Sequence, residues 1–257
     1  VAINENTAAI AYFYRPGSMP DIQEVINVAK KHSIPVLVDA AGQLPPAENL
    51  RKFIGMGADL VSFSGGKAIR GPQNSGILAG KKDLIASVFL QHLDLDDHFD
   101  IWDPPSALIS KEDLPGIPRH GIGRGFKVSK ESIVGLLTAL NSFSKDGNKR
   151  TSERFYSLLI SIEKALTDLP HLKLDLVQSA DPEVYPTLEI SIDEQKLGSN
   201  AFEISRKLKY EGDPLVYVSE TKLSLGILTI NPMNLNENRA EMATKRIREV
   251  LSNRRST

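Results

Sequence analysis

There is no cysteine among the 257 residues, and that excludes disulfides, thiolate metal sites and a cysteine nucleophile. Nor is there an excess of one charge. Lysines and arginines number 31 against 32 aspartates and glutamates, a formal net charge of -1. A near-neutral chain has no bulk field to draw nucleic acid or an anionic membrane, so neither is expected as a partner. No apolar run approaches the roughly 18 residues that a spanning helix needs, and no signal peptide opens the chain. A cytoplasmic protein is therefore expected. Hydrophobic content of 41% and charged content of 25% are those of a globular chain long enough for one or two domains.

The stretch that carries chemistry runs from Pro35 to Gly80. It holds two short apolar runs rich in β-branched residues. Val36-Leu-Val-Asp39 is followed by Ala-Ala-Gly-Gln43, and Asp59-Leu-Val-Ser-Phe-Ser64 by Gly-Gly-Lys67. Parallel strands read as such runs, and open α/β sheets bind ligands beyond the carboxyl ends of their strands. An acid and an amine placed there can face one small molecule, as pyridoxal phosphate requires. Its aldehyde condenses with a lysine amine, and a carboxylate beside its ring nitrogen keeps that nitrogen protonated. Lys67 is the candidate for the Schiff base and Asp39 for the ring contact, both in a partly desolvated site. Asp39 as a loop cap or magnesium ligand stays open. A nucleotide-binding loop does not fit, because Ala68 follows the lysine and Val61 stands where its first glycine belongs.

These motifs, with Gly71-Pro-Gln73, resemble fold type I pyridoxal phosphate enzymes of the selenocysteine synthase and D-glucosaminate-6-phosphate ammonia-lyase group. Pro118-Arg-His-Gly-Ile-Gly-Arg124-Gly-Phe-Lys127, with the helix that follows, is similar to the same group. The resemblance implies an α/β fold: a large domain with a mostly parallel sheet over residues 1–147, incomplete at its N-terminus, and a linker helix with a small α+β domain over 148–257. It implies that Ser64 contacts the cofactor phosphate, that Gln43 donates to the phenolic oxygen, and that Gly71 offers its backbone amide to a neighbouring subunit's cofactor. A homo-oligomer built from dimers follows. The chain opens on Val1 without an initiator methionine, so the main phosphate loop and the ring-stacking residue of the group are expected to lie outside it.

The activity implied is an α,β-elimination with ammonia release from a hydroxylated amino acid or amino-sugar acid. A selenium transferase of seryl-tRNA, an aminotransferase or a racemase are the alternatives, and a truncated subunit without a complete cofactor site is the non-enzyme alternative. Arg124, among glycines that allow close backbone approach, is the candidate to clamp a substrate carboxylate or phosphate. The same stretch fails as a dinucleotide loop, because Phe126 stands where the third glycine belongs. His92, Asp94, Asp96, Asp97, His98 and Asp100 match no ligand spacing, so no metal is expected.

Along the rest of the chain, periodicity predicts a strand over 7–13 and a helix from Ile22, with Ser18 and Pro20 as its start signals. It also predicts a helix around Phe53 ended by Gly55 and Gly57, and a helix over 82–91. A long connection over 91–125 reads as a substrate-side lid. A helix from Ser129 is expected to break at Asp146-Gly147. Strands follow at 172–177, 187–192, 215–218 and 222–230, with helices at 200–210 and 236–252. Arg254 and Arg255 suit a helix end.

Overall fold

The computed structural model describes residues 2–117, 120–178 and 185–252, with the backbone alone for 146–151. Pro118 and Arg119 of the glycine-rich motif, and Arg254 and Arg255, lie outside the described residues. Contacts divide the chain into two units, Val1–Lys145 and Asp146–Thr257.

The β-branched runs of the first unit form a four-stranded sheet in the order β1 (Ile10–Phe13), β2 (Val36–Asp39), β3 (Leu60–Ser64) and β4 (Gly76–Gly80). The pairs β1–β2 and β2–β3 are parallel, and β4 returns antiparallel to β3. Helix α1 (Ile22–Lys31) crosses between the first two strands, and α2 (Asn49–Met56) between the second and third. Successive strand residues point to opposite faces of the sheet. Val36, Val38, Val61 and Phe63 therefore turn together into a core with Ile22, Ile26, Ala29 and Phe53. Leu37, Asp39 and Leu78 take the other face and stay exposed, as does Phe13, 57% accessible.

Helix α1 does not start from Ser18. Its cap is Asp21, whose carboxylate accepts from the Gln23 amide while Glu24 accepts from the Asp21 amide. This reciprocal box satisfies two donors that the first turn leaves without partners. Helix α2 runs through Gly55 and ends at Gly57, which takes the left-handed conformation at φ 108°. The strand expected from Thr7 begins only at Ile10, and helix α3 covers Lys82–Gln91 as expected.

Helix α4 covers Lys130–Leu166, so the break expected at Asp146-Gly147 does not occur. A glycine inside a helix costs about 1 kcal/mol against alanine, which weakens a helix without ending it; proline, at roughly 3, is the residue that ends one. On the first-unit side of this helix Leu136, Ala139, Leu140 and Phe143 pack against the sheet core.

The second unit has an antiparallel sheet of β5 (Leu172–Val177), β6 (Thr187–Ile192) and β7 (Ile227–Ile230), with β6 central. The short α5 (Glu194–Leu197) is followed by α6 (Ala201–Tyr210) and α7 (Glu237–Ser252). Leu188, Ile190 and Leu228 of the sheet are buried with Ile204 and Leu208 of α6 and Ile247 of α7. Leu215–Val218 is not a strand. The Val216 amide bonds the Leu208 carbonyl at the end of α6, and pairing with β7 is limited to one bridge, Ser219 with Thr229. The strand expected over 222–230 is shorter too. Residues Leu223–Leu225 make a 3₁₀ turn that Gly226 closes at φ 72°, and β7 starts after it. Among the described residues no helix is long and apolar enough to cross a membrane.

Candidate functional site

Parallel pairing of β2 with β3 puts the loops that leave their carboxyl ends side by side, which is how an open α/β sheet builds a site. Asp39 closes β2 and pairs across the sheet with Ser62 on one side and Phe13 on the other. Ser64, two residues beyond Ser62, turns to the same open face. A groove of about 330 Å³ runs over this face, lined by Phe13, Leu37, Asp39, Ser62 and Leu78.

Lys67 lies in the turn that follows β3. Its ammonium stands 3.9 Å from the point a Cβ on Gly42 would occupy, in the loop that leaves β2. That is ordinary van der Waals distance, so the amine lies directly against this loop. The fold thus brings Lys67 over the segment that opens at Asp39. Neither is desolvated as expected, because both are exposed. The reason lies in the pleat: Asp39 shares its register with the uncovered side chains of Leu37 and Phe13, and among the described residues nothing packs over them.

The remaining predicted residues divide by what already holds them. One oxygen of Asp39 accepts from the Ala41 amide at 3.0 Å, so the loop-cap role is realised and the other oxygen is left without a partner among the described residues. Gln43 donates from Nε2 to the Tyr14 carbonyl at 3.3 Å, tying the end of β1 to this loop. The hydroxyl of Ser64 has no protein partner among the described residues. Gly71 corrects the expectation placed on it. Its amide donates to the Gly65 carbonyl at 2.8 Å, closing the turn around Lys67, and so is not presented to a ligand.

Arg124 belongs to a different cluster. Its Nε meets Asp94 Oδ1 at 2.6 Å, Lys127 Nζ meets Oδ2 at 2.7 Å, and His120 Nδ1 lies 3.2 Å from Oδ1. The hydrogen bond from Lys127 holds the Asp94 carboxyl down at about 2; partial desolvation works against it and Arg124 with it. Gly121 and Gly123, on the N-terminal side of Arg124, are packed against the end of α3, whereas Gly125 has open space beside it. A Cβ on Gly121 would stand 2.0 Å from the Gln91 carbonyl oxygen at the end of α3. Nothing in its contacts joins Arg124 to Asp39 or Lys67. Among the described residues no three histidines or carboxylates are placed to hold a metal ion.

Sequence reasoning passed over Gly42, whose nearness to the Lys67 amine is visible only once two loops meet. It met Asp94 as a possible metal ligand, although the run of basic residues from His120 to Lys127 already offered partners for an acid.

The sheet and its helices place the chain first by architecture: an α/β fold with a mostly parallel sheet, shared with a solved D-glucosaminate-6-phosphate ammonia-lyase at a TM-score of 0.73 and 26% identity over 97% of this chain and 59% of that one. Sequence similarity points the same way. The family model described as L-seryl-tRNA selenium transferase matches residues 2–96. The D-glucosaminate-6-phosphate ammonia lyase of Salmonella typhimurium is 27% identical over 253 residues, 97% of this chain and 58% of that protein. A 5'-C-glycyluridine monooxygenase-decarboxylase of Streptomyces is 26% identical over 257 residues, 97% of this chain and 56% of the relative. The chain is thus similar to the ammonia lyase along its length and to the selenium transferase family model over residues 2–96, and it spans less than three-fifths of the length of the ammonia lyase and of the monooxygenase-decarboxylase.

Proposed function

We propose that this chain carries the lysine-bearing sheet of a pyridoxal phosphate-dependent lyase that eliminates water and ammonia from a hydroxylated amino acid or amino-sugar acid. The observation that carries the reading is the placement of the Lys67 ammonium, 3.9 Å from the Cβ position of Gly42, over the loop that starts at Asp39. The donor set fits the cofactor: an amine and a carboxylate at adjacent strand ends, with a hydroxyl at Ser64 on the carboxylate's face. When bound, pyridoxal phosphate supplies an aldehyde for the amine and a ring that accepts electrons from a substrate carbon.

The residues around the strand ends then have tasks. Lys67 Nζ would hold the cofactor and would take the proton from the substrate's α carbon. The Asp39 oxygen not bonded to Ala41 holds a proton at the ring nitrogen. Ser64 donates its hydroxyl to the phosphate. Gln43, one N–H already on Tyr14, has a second for the phenolic oxygen. Arg124, the candidate for an anionic group of the substrate, is bound to Asp94 through Nε and touches neither Asp39 nor Lys67, so this reading gives it no task. Loss of water across the α and β carbons, then hydrolysis, leaves ammonia and a 2-oxo acid. The reading includes a homo-oligomer built from dimers. The match to the selenium transferase model over 2–96 favours one second reading, a transferase acting on seryl-tRNA; the net charge of -1 gives that polyanion no bulk field.

The test is an absorbance spectrum with added pyridoxal phosphate, then borohydride reduction and peptide mass mapping, followed by a screen of hydroxylated amino acids for ammonia and keto acid. A cofactor band and a pyridoxyl mass on Lys67 are expected. Label scattered over surface lysines would overturn the reading. Salt-dependent tRNA binding would favour the transferase.

A further inference from the structure

The Gly71-Pro-Gln73 segment folds back on the turn that carries Lys67. We infer that Gln73 is a positioning residue for Lys67, acting through the peptide that joins Gly66 to it; the inference rests on the reading of Lys67 above. Three of the contacts that hold this turn are made by backbone. Gly65 donates to the Ser75 carbonyl at 2.9 Å, the Gly71 amide donates to the Gly65 carbonyl at 2.8 Å, and the Arg70 amide donates to the Lys67 carbonyl at 2.9 Å. The fourth is made by a side chain: Gln73 Nε2 donates to the Gly66 carbonyl at 2.9 Å.

That fourth bond has a particular mechanical place. Among the described residues it is the one hydrogen bond on the Gly66–Lys67 peptide, since the Lys67 amide donates to nothing. Glycine leaves the torsions before that peptide unrestricted, so without an external hold the plane can rotate at little cost. Rotation would swing the Cα of Lys67 and carry its amine away from the space beside Gly42. Packing acts with the bond. A Cβ on Gly66 would lie 2.6 Å from Gln73 Oε1 and 2.7 Å from its Cα, so Gln73 seats directly against the glycine. The same side chain thus accounts for the glycine before the lysine and for the direction of the lysine itself.

The test uses pyridoxal phosphate as the probe on the whole chain, with borohydride trapping, and reads the share of pyridoxyl label on Lys67 against Lys81. Lys81 is a fitting reference because Asp59 holds its ammonium at 2.6 Å. Gln73→Met keeps the volume and removes the N–H; Gln73→Ala removes both. The wild-type label should concentrate on Lys67. Both variants should lower that share by about fivefold, a modest loss for a misdirected reactive group, with thermal midpoints within about 2 °C of wild type, as for an exposed single bond. A concentrated wild-type label that both variants leave unchanged would overturn the inference alone. If Gln73→Met matches wild type and only Gln73→Ala loses the label, packing does the work and positioning by the hydrogen bond is wrong. A wild-type label scattered over many lysines would remove the Lys67 reading and the inference with it.

Discussion

Two places in the first unit gather charged side chains, and they use them in opposite ways. Around Asp94, one carboxylate is matched by Arg124, Lys127 and His120, and Gly121 and Gly123 pack against the end of α3. At the ends of β2 and β3 the ammonium of Lys67 has no ion-pair or hydrogen-bond partner among the described residues, and Asp39 uses a single oxygen. A polar group whose bonds are made within the chain needs nothing more to be stable there; a group held in place by its backbone, with its own bonds unmade, retains its capacity for a ligand. The difference separates a structural cluster from a candidate chemical one more sharply than residue type does, since both contain an acid and an amine.

The largest effect expected from breaking this contrast is at Lys67. Lys67→Ala should lower turnover by about 10³-fold or more, as loss of a covalent and proton-transfer group does. Steady-state kinetics check the loss, and mass mapping should find no concentrated label. Asp39→Asn comes next. Asparagine keeps the acceptor that bonds the Ala41 amide, so the melting temperature should hold while turnover falls about 10²-fold through the lost charge at the ring nitrogen. Equal losses in stability and rate would mean Asp39 is a loop cap and no more.

In the other cluster the signs reverse. Gly121→Ala places a methyl where the Gln91 carbonyl stands, and the forced shift should cost about 2 kcal/mol of stability by denaturant unfolding, with labelling of Lys67 unchanged. The smallest effect belongs to Asp94→Asn, which removes the half-buried centre of ion pairs whose basic partners are exposed and should move the thermal midpoint by only about 1–2 °C at neutral pH. The pH dependence has a definite sign. Asp94 titrates at about 2 in the folded chain against 3.8 ordinarily, so its contribution is complete above the ordinary value and is lost as pH falls through about 2. The wild-type advantage over Asp94→Asn in acid melts should shrink across that window; an advantage that grows towards acid would contradict the ion-pair account.

Local pattern was enough for much of the chain. The spacing of Ile22, Ile26 and Ala29 gave α1, and residues 187–192 read as the strand that β6 is. That Asp39 and Lys67 follow neighbouring parallel strands was legible because short apolar runs announce such strands, which deliver their ends to one edge. Where the reading failed, a contact between distant residues decided the matter. Leu215–Val218 has the composition of a strand, yet its Val216 amide is taken by the end of α6. Asp146-Gly147 looks like a break, yet it lies within α4. Gly71 was read as an amide for a ligand, and the Gly65 carbonyl already holds it.

What the sequence determined by itself is therefore most of the elements and the two residue types that follow β2 and β3, because hydrophobic period and turn chemistry act over a few neighbours. Only the tertiary structure decided that Lys67 sits over Gly42, that Gln73 clamps the peptide before it, and that Arg124 is bound to Asp94. Those facts depend on loops that meet across the sheet, and no local propensity encodes which carbonyl a distant amide will find.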